Sequence, residues 1–249
     1  MTLKDKHAIV TGGGTGIGLA ITHALVEAGA TVTIMGRNKT RLDEVADTND
    51  ALSAIQVDVT DPKSVDTAFK QASEFSPISI LVNNAGAALA APSHKTSLTA
   101  WQNTIAVNLT SVYLTTSAAF NDLKNAAHGR IINIASIAGI EGCAYTTAYS
   151  ASKHGVMGLT KSLALELTKT TTTANAICPG FTRTDMVEQS INNVMKQTGR
   201  SRDDALNDIL VSVGQKRIIE PKEIAAEVLK LCDEKNDAIN GQAIVIDGR

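Results

Sequence analysis

Short apolar runs alternate along the chain with longer stretches in which apolar residues recur every three or four positions. The short runs are HAIVT (7–11), TVTIM (31–35), LSAIQV (52–57), ISILVN (78–83), RIINIA (130–135), TANAIC (173–178) and AIVID (243–247). Most are rich in Ile and Val without polar alternation, the pattern of parallel strands covered on both faces. The first long stretch sets Ile17, Ala20, Ile21, Ala24, Leu25 and Ala28 on one helical face. The same period returns near 38–47, 62–75, 98–125, 149–168 and 221–233. This alternation predicts an α/β fold: one Rossmann-type, doubly wound parallel sheet of about seven strands with helices on both faces. No Pro-, Gly- or Ser-rich linker divides the chain. The biased run TKTTTTANA (168–176) falls at a helix-to-strand connection and reads as a turn. A polar helical segment at about 184–214 interrupts the alternation. Insertions at the carboxyl ends of such strands commonly cover ligands, so this segment is expected to be a lid on a single 1–249 domain.

The 249 residues suit one α/β domain. Hydrophobic residues make up 43% and aromatics only 3%, so the core must be built of Ala, Val, Ile and Leu. The net charge of −2 comes from interspersed signs, and no basic block marks a nucleic-acid surface. Cys143, Cys178 and Cys232 lie far apart. They form neither a disulfide framework nor a zinc motif and suit a reducing compartment. The histidines (7, 23, 94, 128 and 154) have no metal-ligand spacing. The N-terminus runs directly into a strand, and no apolar run approaches membrane-spanning length. A cytoplasmic protein without a metal, a membrane contact or a nucleic-acid partner is expected.

Candidate chemistry sits at two places. The first is VTGGGTGIG (10–18), between the first strand and the first helix. Gly12, Gly16 and Gly18, with Thr15 and Ile17 between them, permit a tight turn and bring backbone amides to a pyrophosphate at a helix N-terminus. After the second strand come Gly36, Arg37 and Asn38, with no carboxylate to accept bonds from a ribose 2′-hydroxyl. Arg37 can instead pair with a 2′-phosphate. This favours NADP, with NAD as the alternative. The second place is Tyr149–x–x–x–Lys153, one helix face by spacing. A free tyrosine with a pKa near ~10 is a poor base at neutral pH. A neighbouring ammonium, and further a bound nicotinamide cation, is expected to favour the phenolate and to bring the pKa toward the working range.

The chain resembles the short-chain dehydrogenase/reductase family in its form of roughly 250 residues. The likeness rests on TGGGTGIG (11–18), DVTD (58–61), NNAG (83–86), VNLTSVY (107–113), NIAS (133–136), YSASK (149–153), CPGFTRTDM (178–186) and INGQAIVIDG (239–248), in that order. It implies a catalytic set of Asn108, Ser136, Tyr149 and Lys153. In that set Ser136 bonds the substrate oxygen, Lys153 also holds the nicotinamide ribose, and Asn108 holds a water that links Lys153 to solvent. The resemblance also implies cofactor contacts from Asp58 and Val59, from Asn84, Ala85 and Gly86, and from Pro179, Gly180, Thr182 and Thr184. Asn83 is expected to be structural. Asp61 before Pro62 is better placed than Asp58 to cap the following helix.

The wall at 137–145, IAGIEGCAY, is mixed and fairly apolar, suited to apolar chains with a few orienting polar groups. Lys196, Arg200 and Arg202 in the lid are candidates for a phosphopantetheine or CoA arm. The family pattern is most like reductases of 3-oxoacyl thioesters. NADPH-dependent reduction of a ketone or 3-oxoacyl thioester is therefore expected. The alternatives are an NAD-dependent secondary-alcohol or 3-hydroxyacyl-CoA dehydrogenase, and a nucleotide-sensing protein without turnover. The resemblance further implies a homotetramer through the helices at 98–125 and 149–168, with a dimer as the alternative.

Overall fold

A computed structural model describes residues 2–249. Among these residues, seven parallel strands form one sheet: β1 (His7–Thr11), β2 (Thr31–Gly36), β3 (Leu52–Gln56), β4 (Ile78–Asn83), β5 (Arg130–Ile134), β6 (Thr173–Pro179) and β7 (Ala243–Ile246). Their order is β3-β2-β1-β4-β5-β6-β7. The order reverses between β1 and β4, the switch point where such sheets open a crevice beyond their carboxyl ends. Each predicted strand is found within two residues of its expected ends.

The connecting helices cover both faces: α1 (Gly16–Glu27), α2 (Lys39–Ala46), α3 (Pro62–Phe75), α4 (Leu98–Ile105), α5 (Ser111–Asn125), α6 (Thr147–Glu166) and α9 (Pro221–Cys232). Their starts follow from local chemistry. The Asn38 side chain accepts from the Arg41 amide at 3.1 Å and caps α2. The Asp61 side chain accepts from the Lys63 amide at 3.0 Å ahead of Pro62, and caps α3 as the sequence predicts. One face of the sheet packs Val10, Ile34 and Val82 against Ile21, Leu25 and Val228. The other packs Ile9, Leu81 and Ile131 against Phe69, Leu123 and Leu163.

The expected single helix over 98–125 is broken. Residues Ala106–Thr110 form a π-helical turn between α4 and α5. The apolar period runs on through this turn, so the sequence does not mark it.

Helices α7 (Asp185–Thr198) and α8 (Arg202–Ser212) form the 184–214 segment. They have a small core of their own, Val187, Ile191 and Ala205 with Phe181 and Ile218 beside them. The ends of the segment are pinned together. Buried Gln215 accepts from the Phe181 amide at 2.9 Å and donates to the carbonyls of Phe181 and Arg217. Arg200 and Arg202 are used inside the segment, in ion pairs with Asp208 and Glu188. They read as a solvated lid face, held by pairs within the segment.

Buried His7 in β1 is bonded to the Ser76 carbonyl at 2.7 Å and to the Thr33 hydroxyl at 2.8 Å. Burial pushes its imidazole below the usual histidine range, and the Ser76 carbonyl and Asp122 only partly offset this. The unfolded chain therefore takes up the proton first as pH falls, and stability is lost below about pH 6.5. The expected slope from this one group is at most ~1.4 kcal/mol per pH unit. Thermal midpoints between pH 8 and 5 check it: His7→Gln should show a shallower acid decline than the parent, and an equal decline would assign the loss elsewhere.

Candidate active site

The carboxyl ends of β1 and β4 are tied by side chains. The Thr11 hydroxyl accepts from the amides of Asn84 and Ala85, both at 3.0 Å. The Asn84 side-chain amide donates to the carbonyls of Thr11 at 3.0 Å and Gly12 at 3.3 Å. The Asn84 side chain therefore faces the glycine turn and braces it. Asn83 is structural as expected: it donates to Thr116 and Asn133 and accepts from Thr115.

The glycine turn leaves no room for side chains. A Cβ on Gly18 would lie 2.1 Å from the Gly12 carbonyl oxygen, and one on Gly12 would meet the Asn84 side chain at 2.9 Å. Gly12 and Gly16 have φ of +66° and +52°, a region that costs other residues energy. Thr15 sits extended at the N-cap of α1 and its side chain makes no cap. The exposed N-terminal amides of α1 thus stay open to an anion. Thr184 borders this turn, 3.2 Å from where a Gly16 Cβ would be, and its hydroxyl donates to the Thr182 carbonyl. Thr182 donates to the Gly180 carbonyl, just past Pro179 at the end of β6. Ile17 packs against the core beneath the turn. This cradle fits a dinucleotide pyrophosphate.

Beyond β2, Arg37 is exposed and makes no ion pair among the described residues; its carbonyl accepts from Gln56. Asp58 accepts from the amide and hydroxyl of Thr60. Those bonds, helped by the Arg37 charge, hold its carboxyl below the usual range. Val59 beside it is buried. Arg41, which the sequence reading passed over, reaches from α2 to the glycine turn and donates from Nε to the Gly14 carbonyl at 3.1 Å.

The second cluster lies where β5 meets α6. The Ser136 hydroxyl accepts from the Ala138 amide at 3.1 Å. Buried Lys153 donates from Nζ to the Ile134 carbonyl at 2.8 Å and lies 5.7 Å from the Tyr149 ring centroid. Gly139 packs against the Lys153 backbone, where a Cβ would come within 2.9 Å of its carbonyl oxygen. Asn108 lies in the π-helical turn, fully buried. It accepts from the Ala87 amide at 3.1 Å and donates to the carbonyls of Ala87 and Thr104. Its side chain is therefore engaged in holding the segment after NNAG, and only the turn's backbone is left to hold a water. A Cβ on Gly86 would meet Asn108 Oδ1 at 2.8 Å and approach Lys153 Nζ at 3.8 Å, so all three converge. His154, exposed and bonded to the Ser150 carbonyl, stays outside the cluster.

Burial pushes the Tyr149 phenol up to about 12, with the Ser136 hydroxyl pulling it down and Cys143 adding a smaller push up. Burial pushes Lys153 down to about 8, slightly offset by Cys178. The lysine alone does not bring the tyrosine toward neutrality, because desolvation outweighs a charge held back against Ile134. Tyr149 is thus a phenol at neutral pH, ready to give a proton. Among the described residues, no group of His, Cys, Asp and Glu can hold a metal ion, and no helix is long and apolar enough to cross a membrane.

A nucleotide cradle at the switch point and a Ser–Tyr–Lys cluster facing it define an oxidoreductase acting on carbonyl or hydroxyl groups with a nicotinamide cofactor. The short chain dehydrogenase family model matches residues 6–194, and the chain belongs to that family. It is 34% identical to a D-beta-hydroxybutyrate dehydrogenase of Rhizobium meliloti, over 98% of this chain and 97% of the relative. It is 35% identical to a 3-oxoacyl-acyl-carrier-protein reductase of Chlamydia pneumoniae, over 100% of this chain and 98% of that one. Among solved structures, an actinorhodin polyketide ketoreductase variant with NADPH superposes with a TM-score of 0.92 at 31% identity, covering 100% of this chain and 98% of that one.

Proposed function

We propose that this protein reduces a ketone or 3-oxoacyl thioester to the secondary alcohol with NADPH. The observation that carries the reading is buried Lys153 with its ammonium 5.7 Å from the ring of Tyr149, whose phenol burial keeps protonated. Bound nicotinamide supplies the hydride. Ser136 donates to the substrate oxygen and orients it, and Tyr149 gives that oxygen its proton as charge develops there. Lys153 binds the nicotinamide ribose and returns a proton toward Tyr149. The π-helical turn at Asn108 fixes the loop behind Lys153 and opens its path to water. Gly12, Gly16 and Gly18 with Thr15 take the pyrophosphate, and Thr182, Thr184 and Gly180 border the nicotinamide end. Asp58 and Val59 flank the adenine, with Ala85 and Gly86 along the ribose.

Two features support NADPH and a neutral carbonyl. Arg37, at the end of a strand that carries no carboxylate of its own, suits a 2′-phosphate better than a bare ribose. At the substrate wall Arg249 is bound by Glu141 through two bonds, of 3.0 and 2.7 Å, and by Asp247 at 3.1 Å. That cation is thereby paired, which favours an uncharged ketone or thioester over a free hydroxy acid. Helices α7 and α8 would act as the lid over this wall. Exposed Tyr113 on α5 and Leu165 on α6 suit a contact between copies, as in a homotetramer, and a cytoplasmic setting suits the free cysteines. Steady-state assay of a panel of ketones and 3-oxoacyl thioesters tests the reading. NADPH should exceed NADH in kcat/KM by at least about tenfold, the effect of one charge-assisted contact. A preference for NADH would support an NAD-dependent alcohol dehydrogenase instead.

A further inference from the structure

We propose that Glu141 is a specificity-determining residue of the substrate wall: its carboxylate fills the guanidinium fork of Arg249 and denies that fork to a substrate carboxylate. This rests on the ketone-reduction reading above and names the residue that shuts out 3-oxo acids. Backbone bonds hold both partners in place. Ser136 opens the short turn Ile137–Gly139, and the Glu141 amide donates to the Ile137 carbonyl at 2.9 Å, so Glu141 is fixed just past the serine. Arg249 lies in the turn after β7. The Gly180 amide donates to the Ile246 carbonyl at 2.8 Å, and the Lys216 amide donates to the Gly248 carbonyl at 3.1 Å. These bonds seat that turn between the end of β6 and the base of the lid. The Glu141–Arg249 pair thus spans from the Ser136 side of the wall to the lid base.

The bonding pattern is the one a ligand carboxylate would make. Nη1 of Arg249 donates to one Glu141 oxygen at 3.0 Å and Nη2 donates to the other at 2.7 Å, two parallel bonds from one edge of the guanidinium. Nε is paired separately with Asp247 at 3.1 Å. With Glu141 removed, Asp247 still holds the guanidinium, and the Nη1–Nη2 edge is left for another carboxylate. Cys143 ties the pair to the chemistry. Its thiol feels the charges of both Glu141 and Arg249, and it acts in turn on the Tyr149 phenol. Glu141 and Arg249 are 56% and 39% exposed, so solvent screens the pair, and the expected effect is several-fold rather than orders of magnitude.

The test uses a matched pair of compounds, 3-oxohexanoate and 3-oxohexanamide, on the full protein. Their kcat/KM values with NADPH give one acid-to-amide ratio. Their calorimetric affinities for the NADP⁺ complex, where no reduction occurs, give a second. Glu141→Ala should raise both ratios about fivefold over the parent, and Arg249→Ala should lower them. The double variant Glu141→Ala/Arg249→Ala should lose the gain, and added KCl should shrink it in the single variant. A brace on the wall would instead shift the ratios in the same direction in both single variants. That result would overturn the proposal, as would an unchanged ratio in Glu141→Ala or a gain that survives in the double variant. Failure of every variant to bind either compound would overturn it too. A parent that binds the pair and reduces neither would refute the reductase reading, and the affinity ratios would still decide the role of Glu141.

Discussion

Tyr149→Phe should lower kcat by about 10²–10⁴-fold, the range for loss of a positioned acid, while NADPH binding changes little. The ring remains to pack near Lys153, and only the phenol oxygen is removed. The pH dependence follows from the direction of the shift. A phenol raised to about 12 is protonated through the neutral range, so carbonyl reduction has its acid available there. Alcohol oxidation needs the phenolate and should accelerate as pH rises. Lys153, lowered to about 8, keeps its charge below that pH and loses it above. Its hold on the ribose should therefore weaken on the alkaline side. Initial rates in both directions between pH 6 and 10 check this. A reduction rate that climbs with pH in step with oxidation would contradict the acid role of Tyr149.

The second large effect is expected at the glycine turn. Gly18→Ala places a methyl 2.1 Å from the Gly12 carbonyl oxygen and 2.5 Å from Asn84 Nδ2. Neither neighbour is the loose end of a long side chain. The first is backbone, and the second is fixed by bonds to Thr11 and Gly12. The turn must shift, which costs about 1–3 kcal/mol as overpacking and spoils the alignment of the α1 amides. Cofactor affinity should fall at least about tenfold, together with a lower thermal midpoint. Gly14→Ala is the control. Its Cβ would lie no closer than 3.3 Å to the Leu42 side chain, so it should cost far less. Nucleotide titration of the two variants decides, and equal affinities would show that the turn has slack the geometry does not suggest.

The central strands were legible because they are apolar runs buried on both faces, and β1 and β4 match the expected ends residue for residue. The helices were legible where a cap marks them, as Asp61–Pro62 does for α3. The break at 106–110 was not, since a π-helical turn inserts one extra residue without disturbing apolar periodicity over the eight or so residues on either side. For the site, spacing brought Tyr149 and Lys153 to one face, and the family motif added Ser136 and Asn108. The sign of the tyrosine shift was not readable. It depends on how deeply the phenol is enclosed and on Lys153 spending its proton on Ile134.

The most direct test of the central claim is a single turnover. Purified protein is mixed with stoichiometric NADPH and a 3-oxoacyl thioester or ketone from the panel, and both products are quantified. The account predicts equimolar NADP⁺ and secondary alcohol, with no turnover on the same timescale in Tyr149→Phe. NADPH that binds and remains reduced across the whole panel would contradict it, and would leave a nucleotide-binding protein without this chemistry.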